Sequence, residues 1–108
     1  MPVEQRRTRV SEGVFNELIH APKRLKICAL LASVTEAEFR VLGDELVLSD
    51  SDLSKQLKLL ESAGYVAARK TTVDKYRKTW LSVSSAGRVA FDSHARALNE
   101  LVVGSSKD

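Results

Sequence analysis

The apolar residues of this sequence change their spacing at Gly64, and this change restricts the possible folds more than any other feature. The leucines before it recur every three or four residues, as on one face of a helix: Leu53, Leu57 and Leu60. Gly64 suits the end of that helix, because glycine adopts a left-handed backbone at little cost. Residues 65–72 and 76–83 are rich in β-branched and aromatic side chains, and a turn at 73–75 separates them. The sequence therefore predicts a helix followed directly by a β-hairpin.

The segment before residue 35 predicts two helices. The first is expected over residues 11–20, with Ser11 as its N-cap. Its apolar stripe consists of Val14, Phe15, Leu18 and Ile19. Pro22 suits the first turn of the second helix, where its missing N–H would have had no partner. Residues 25–31 are apolar on almost every side, so this helix is expected to be the buried central one.

Capping patterns mark the start of the three remaining helices. Thr35 and Glu38 form a capping box that predicts the start of a third helix. Its core face is Phe39, Leu42 and Leu46. Residues 49–52 repeat the pattern and open the fourth helix, which carries the leucine stripe. Ser84 is expected to cap a final helix that ends near residue 103. Its apolar stripe is Phe91, Ala95, Leu98 and Val102, with Leu101 beside it.

These elements predict one mainly α domain with a small β-hairpin, a winged helix-turn-helix of five helices and a two-stranded wing. The domain is expected to span residues 11–103, with a flexible basic N-terminus at 1–10 and a flexible tail at 104–108. No run of about 18 apolar residues predicts a transmembrane helix, and residues 1–10 do not resemble a signal peptide. A single cysteine, Cys28, fits a cytoplasmic protein.

Charge is segregated along the chain. Residues 51–83 contain seven basic and three acidic side chains, a net charge of +4, whereas residues 34–50 have a net charge of −4. The seven basic residues are Lys55, Lys58, Arg69, Lys70, Lys75, Arg77 and Lys78. Such segregation indicates one basic face, which is typical of proteins that bind nucleic acid. A solvated surface with uneven charge is the alternative that composition alone leaves open.

The fourth helix and the hairpin both carry groups suited to duplex DNA. When the leucines of that helix face inward, its outward residues are Ser51, Ser54, Lys55, Lys58 and Ser62. Small hydroxyls permit a close approach to a major groove, and lysines reach phosphates or a guanine edge. The hairpin tip adds three cations that suit a minor groove: Lys75, Arg77 and Lys78. Alternatives are an amphipathic helix with a solvated face and an edge strand protected by charge. Trp80 is expected to cover the hairpin.

Several motifs in combination resemble those of a known family. They are Arg24-Leu25, the run from Leu53 to Val66 that reads LSKQLKLLESAGYV, Arg69-Lys70, Thr79 and Ser84-Ser85-Ala86-Gly87-Arg88. Together they are similar to winged-helix transcriptional regulators, the short-chain bacterial and archaeal group related to the MarR and ArsR types. The sequence departs from the usual pattern at Gln56, where many relatives carry His, and at Ser84, where they usually carry Thr.

The resemblance implies a recognition helix at residues 50–63, a wing at 65–83 and a homodimer built from the terminal helices. The expected DNA-binding residues are Ser51, Ser54, Lys55, Gln56, Lys58, Arg69, Lys70, Lys75, Arg77 and Lys78. The expected dimer interface is Val14, Phe15, Leu18, Phe91, Ala95, Leu98, Leu101 and Val102, because one small core cannot readily bury two apolar stripes. The function that follows is sequence-specific binding of double-stranded DNA to regulate transcription.

Other chemistry finds little support in the sequence. His20 and His94 are far apart, and no Cys-x-x-Cys or His-x-x-x-His spacing predicts a metal site. No glycine-rich phosphate loop or Gly-x-Ser-x-Gly motif is present, so neither an enzyme nor a cofactor is expected. No pattern indicates a small-molecule effector. The alternative function is a winged helix that binds another protein instead of DNA, because fold alone does not determine function.

Overall fold

The computed structural model describes residues 13–107 and confirms the winged-helix fold. Within these residues the elements follow in the order α1 (Glu17–His20), α2 (Pro22–Ala32), β1 (Ala37–Glu38), α3 (Phe39–Leu46), α4 (Asp50–Ser62), β2 (Val66–Val73), β3 (Tyr76–Val83) and α5 (Ser85–Lys107). The strands form an antiparallel sheet with the order β1-β3-β2. None of the described helices is long and apolar enough to cross a membrane.

The core lies between α2, the leucine face of α4 and the sheet. As expected, α2 is the central helix, and Pro22 occupies its first turn. Its fully buried side chains are Ile27, Cys28 and Leu31, which pack with Leu42, Leu53, Leu60 and Leu81. At the other end of α2, the Arg88 guanidinium donates a hydrogen bond to the Ala32 carbonyl at 3.0 Å. The terminal helix is thereby joined to the C-terminus of the central helix.

The first helix is shorter than the sequence predicts, and the predicted cap, Ser11, lies outside the described residues. The helix begins at Glu17, and the Asn16 side chain caps it by accepting a hydrogen bond from the Ile19 N–H at 2.9 Å. Residues 13–16 are not helical, and the N–H groups of Gly13, Val14 and Asn16 find partners on α5 instead. The Val14 N–H, for example, donates to Ser93 Oγ at 2.8 Å. The helical stripe expected at Val14 and Phe15 is therefore wrong.

The predicted capping box at Thr35 and Glu38 does not form. The third helix begins at Phe39, and the side chain of Glu38 makes no capping hydrogen bond. Instead, the short strand β1 pairs antiparallel with β3, so that its two residues lie opposite Leu81 and Trp80. Pairing with a strand satisfies the backbone groups that a first helical turn would leave unpaired. The sheet consequently has three strands instead of the two expected.

The ends of α4 agree with the sequence. Ser49 Oγ accepts a hydrogen bond from the Asp52 N–H at 3.1 Å, as its capping pattern predicts. Gly64 follows the last residue of the helix cap and has a φ of +80°. In that conformation its N–H bonds to the Glu61 carbonyl at 2.9 Å, and the chain turns directly into β2.

The hairpin and the start of α5 orient the wing, which we define as β2 and β3. Asp74 and Lys75 form its two-residue turn with φ values of 50° and 71°, and such turns match the twist of paired strands. Ser84 Oγ accepts from the Gly87 N–H at 2.9 Å, which confirms the predicted cap, and donates to the Gly64 carbonyl at 2.6 Å. The final helix extends to Lys107, four residues beyond its predicted end.

Candidate nucleic-acid interface

The outer face of α4 is exposed as predicted. Three leucines on the opposite side of the helix are buried: Leu53, Leu57 and Leu60. Their burial determines which side chains face outward, and these are Ser51, Ser54, Lys55, Lys58 and Ser62. The two serines in the first two turns leave the backbone accessible, while the two lysines lie one turn further along the helix. This face can approach a groove closely and present two cations to it.

A groove of about 700 Å³ lies between this face of α4 and one face of the wing. The wing contributes Lys70 and Thr79, which are directly opposite each other in the β2–β3 register. The residues that line the groove are Phe39, Ser51, Ser54, Lys55, Leu57, Lys58, Glu61, Ala68, Lys70, Thr79 and Leu81. Three lysines face one carboxylate here, so the groove has a net positive charge that suits a phosphate backbone.

Arg69 lies on the other face of the wing, although the sequence analysis expected it to bind DNA together with Lys70. The Arg69 guanidinium forms a salt bridge with Glu36, with Nη2 and Oε1 2.5 Å apart. It also lies 5.8 Å from the centre of the Trp80 ring, and the indole N–H of Trp80 donates to Thr71 Oγ1 at 3.2 Å. Trp80 thus covers the hairpin as expected. Arg69 connects the wing to the segment before β1 instead of lining the groove.

The wing tip presents the three remaining cations to solvent. Lys75, Arg77 and Lys78 are exposed, and no carboxylate among the described residues forms an ion pair with them. Lys75 occupies the turn, whereas Arg77 and Lys78 point to opposite faces of β3 because successive strand residues alternate. The tip can therefore place positive charge on either side of the hairpin.

Gln56 does not lie on the exposed surface, which corrects the expectation from the family resemblance. Its side chain is only 8% exposed. Its carbonyl oxygen accepts from Arg24 Nη1 at 2.7 Å, and its amide donates to Asp52 Oδ1 at 3.1 Å. The ammonium of Lys23 pairs with the other oxygen of the same carboxylate. Hydrogen bonds from Lys23 and then Gln56 hold the pKa of Asp52 below its ordinary value.

The structure distributes the expected dimer residues over two environments. Leu18 and Phe91 pack against the protein's own core, and Leu98 is half-buried. The remaining five are exposed along α5 and the preceding segment: Val14, Phe15, Ala95, Leu101 and Val102. Exposed apolar side chains that lie on neighbouring segments are typical of an interface. The dimer itself stays a prediction.

Two histidines that are distant in sequence meet beneath Phe15. His20 Nδ1 and His94 Nε2 are 3.2 Å apart, and the Phe15 ring packs on both imidazoles with centroids 4.7 and 4.6 Å away. His94 is fully buried, and its Nδ1 accepts from the Asn16 N–H at 2.9 Å. Burial, and then the charge on His20, lower the pKa of His94. Neutral His94 therefore carries its proton on Nε2, so this nitrogen donates to His20 and has no lone pair for a metal.

The sequence contained no signal for this histidine pair, because 74 positions separate its members. Groups of three or more metal-ligating side chains do not occur among the described residues. Burial, opposed by the charge of Arg24, raises the pKa of the Cys28 thiol to about 11. A thiol with that pKa is protonated near neutral pH and is a poor nucleophile.

Comparison with known proteins places this arrangement among winged helices. A sequence model described as a winged helix DNA-binding domain matches residues 23–102. An uncharacterized protein from Methanocaldococcus jannaschii is 34% identical over 88 residues, which represent 82% of this chain and 91% of that protein.

Solved structures show the same fold. A transcriptional regulator homologue from Pyrococcus horikoshii superposes with a TM-score of 0.78 at 20% identity, covering 94% of this chain and 97% of the other. A MarR-family transcriptional regulator from Silicibacter pomeroyi superposes with a TM-score of 0.59 at 26% identity, covering 79% of this chain and 58% of the other. The similarity to the Pyrococcus structure includes almost the whole of both chains.

Proposed function

Since this chain belongs to the winged helix DNA-binding domain family, we propose that it is a transcriptional regulator that binds double-stranded DNA by inserting α4 into a major groove. Lys70 and the wing tip then contact the adjacent backbone or minor groove. The observation that carries this proposal is the positively charged groove between α4 and the wing, in which Lys55, Lys58 and Lys70 have no carboxylate partner within ion-pair distance among the described residues.

The roles of the groove residues follow from their positions. Ser51 and Ser54 lie near the N-terminus of α4, where small side chains let the helix approach base edges. Lys55 lies beside them and can reach either a guanine edge or a phosphate. Lys58 lies further along α4 than Lys55, and Lys70 lies on β2 across the groove. We therefore assign both lysines to phosphates on the groove walls. Specificity thus depends on the first two turns of α4, and general affinity on the cations around them.

A salt titration of duplex binding tests the proposal. Selection from a random duplex library supplies the site, and fluorescence anisotropy measures the dissociation constant at several salt concentrations. Six to ten phosphate contacts would give a slope of log affinity against log salt of about −5 to −9. Lys55→Ala should weaken binding, whereas Lys26→Ala, an exposed lysine of α2 outside the groove, should not. Absence of binding at low salt would contradict the proposal and favour a protein-binding winged helix.

We further propose that the regulator is a homodimer. The exposed apolar residues of α5 and of the segment before α1 support this assembly: Phe15 and Leu101 line one surface pocket, and a second copy is the simplest partner for such residues. Two-fold symmetry would place the two α4 helices about 34 Å apart, one turn of DNA. The selected DNA sites should then be inverted repeats. Sites without internal symmetry would contradict the dimer while leaving DNA binding intact.

A further inference from the structure

Two consecutive cations at the start of α2 hold α4 on the side that faces α2. Lys23 pairs with the Asp52 carboxylate, and Arg24 donates to the Gln56 carbonyl oxygen at 2.7 Å. Residues 52 and 56 are one helical turn apart, and the Gln56 amide joins them by donating to Asp52 at 3.1 Å. Each hydrogen-bonding atom of the Gln56 amide thus has a partner. The four side chains form one connected polar network between two helices.

The same network is anchored on its far side to α1. Arg24 Nε donates to the carbonyl oxygen of Leu18 at 2.6 Å, while Nη1 of the same guanidinium holds Gln56. A guanidinium is planar and rigid, so two bonds from its edges determine the direction in which it points. A backbone group of α1 therefore orients the Arg24 guanidinium that contacts α4. This orientation is transmitted to the helix at one defined position, Gln56.

Rotation of α4 about its axis is the movement that this network resists. Leucine packing resists large rotations, which would expose the buried leucines, but apolar contacts are not directional and fix the angle less sharply than hydrogen bonds do. A rotation of about 20° would displace the tips of surface side chains by roughly 2 Å, given a helix radius of ~5–6 Å with side chains. A shift of that size is enough to break a hydrogen bond to a base edge. Lys55, next to Gln56 in the chain but on the outer face, would be displaced in this way.

We propose that Gln56 and Arg24 are positioning residues for DNA recognition: they contact no DNA, and they fix the rotation of α4 so that Ser51, Ser54 and Lys55 meet their base pairs together. This inference rests on the DNA-binding function proposed above. It assigns the position at which the family resemblance implied a base contact to a different role, which the burial of Gln56 and its two hydrogen bonds require.

Gln56→Met tests the proposal, because methionine has a similar length and volume but cannot form either hydrogen bond. We expect its affinity for the selected site to fall about tenfold, the effect of losing one charged hydrogen bond between the displaced Lys55 and a base edge. Affinity for unrelated DNA should change less than twofold. The preference should weaken at several base pairs of the site, whereas Lys55→Ala should weaken it at one. Arg24→Lys, which cannot bridge Leu18 and Gln56, should reproduce the pattern of Gln56→Met.

A double substitution provides the rescue. In Gln56→Glu with Asp52→Asn the direction of the hydrogen bond between the two positions is reversed, while acceptors for Arg24 and Lys23 are kept. This variant should recover both affinity and preference, and Gln56→Glu alone should not, because two carboxylates would then face each other. Thermal unfolding of each variant is measured in parallel to compare folded protein only.

The outcomes separate the possible explanations. Weakened preference at a single base pair in Gln56→Met would indicate a direct contact and overturn the proposal. A lower unfolding temperature with unchanged preference would also overturn it, since the network would then serve stability alone. Failure of the double substitution to recover preference, when it is folded, would do the same. If the unmodified protein binds no duplex, the proposed function fails, and that result is distinct from any of these.

Discussion

Replacing Gly87 by alanine should destabilise the protein, although alanine is the better helix former. A Cβ atom at this position would lie 2.1 Å from the Tyr65 carbonyl oxygen and 2.8 Å from the carbonyl carbon. These are backbone atoms, and the same oxygen accepts the Ser84 N–H at 2.9 Å. The clash can be relieved only if α5 and the start of the wing move apart by about 1 Å, given normal contact distances between carbon and oxygen.

The magnitude follows from the contacts that such a movement would break. The hydrogen bonds of Ser84 to Tyr65 and Gly64 contribute about 1 kcal/mol each. Overpacking adds about 1–3 kcal/mol, and the helix propensity of alanine returns about 1 kcal/mol. The free energy of unfolding should therefore fall by about 2–4 kcal/mol, which corresponds to a loss of at least about 8 °C in the unfolding temperature of a domain of this size.

Urea unfolding followed by circular dichroism measures this change, and the same helix offers a matched control. A Cβ at Gly104 would have no atom within 4 Å, so Gly104→Ala should raise the free energy of unfolding by up to about 1 kcal/mol. The same substitution should thus lower the free energy of unfolding at Gly87 and raise it at Gly104. This difference isolates the effect of the close contact between Gly87 and Tyr65. Equal stability of Gly87→Ala and the unmodified protein would refute the close contact between α5 and Tyr65.

Three further predictions concern pH, the wing and the dimer. The stability should decrease as the pH falls below about 6.5, because the folded pKa of His94 is lowered and the unfolded chain takes up the proton first. Urea midpoints between pH 8 and 5 measure this, and His94→Gln, which cannot titrate, should flatten the profile. Arg69→Ala should cost about 0.5–1 kcal/mol of stability and leave DNA affinity near normal, whereas Lys70→Ala should weaken DNA binding and reduce the salt slope by about 1 per protomer; anisotropy that ranks them equally would contradict the assignment. Val102→Asp should sediment as a monomer, since Val102 is 68% exposed and its charge should affect the interface more than the fold; a monomeric unmodified protein would contradict the dimer.

The fold was predictable wherever apolar periodicity extends over several turns or residues. The leucine stripe of α4 and the alternation of β3 are such cases. The stripe repeats often enough to exclude the two-residue period of a strand, and the alternation often enough to exclude the 3.6-residue period of a helix. Gly64 and Ser84 were also predictable, since a local backbone requirement selects their residue types. The outward face of α4 then followed from geometry, and with it the exposure of Lys55 and Lys58.

What the sequence did not reveal depends on pairing between distant segments. β1 is two residues long, too short for a period, and its location after Thr35 fits a helix cap equally well. Residues 13–16 look helical in isolation but bond to α5, which only the folded chain brings near. Gln56 looks like a surface residue until Arg24 and Asp52 supply its partners. Arg69 and Lys70 are adjacent in the sequence but point to opposite faces of β2. Of the two, only Arg69 forms a salt bridge with Glu36, a partner that the sequence does not reveal.

The sheet has three strands only at its base, and this gives the wing a gradient of order along its length. β1 covers β3 at Trp80 and Leu81, whereas the hairpin beyond Thr79 consists of two strands alone. Isolated two-stranded hairpins are marginally stable in water, so we expect amide hydrogens near the tip to exchange much faster than those at Leu81. Binding to a duplex would restrict this motion at an entropic cost. The backbone of Lys70 lies one residue pair from the three-stranded base, so we expect it to lose less motion on binding, and a contact from Lys70 should increase affinity more than a contact of equal charge at the tip.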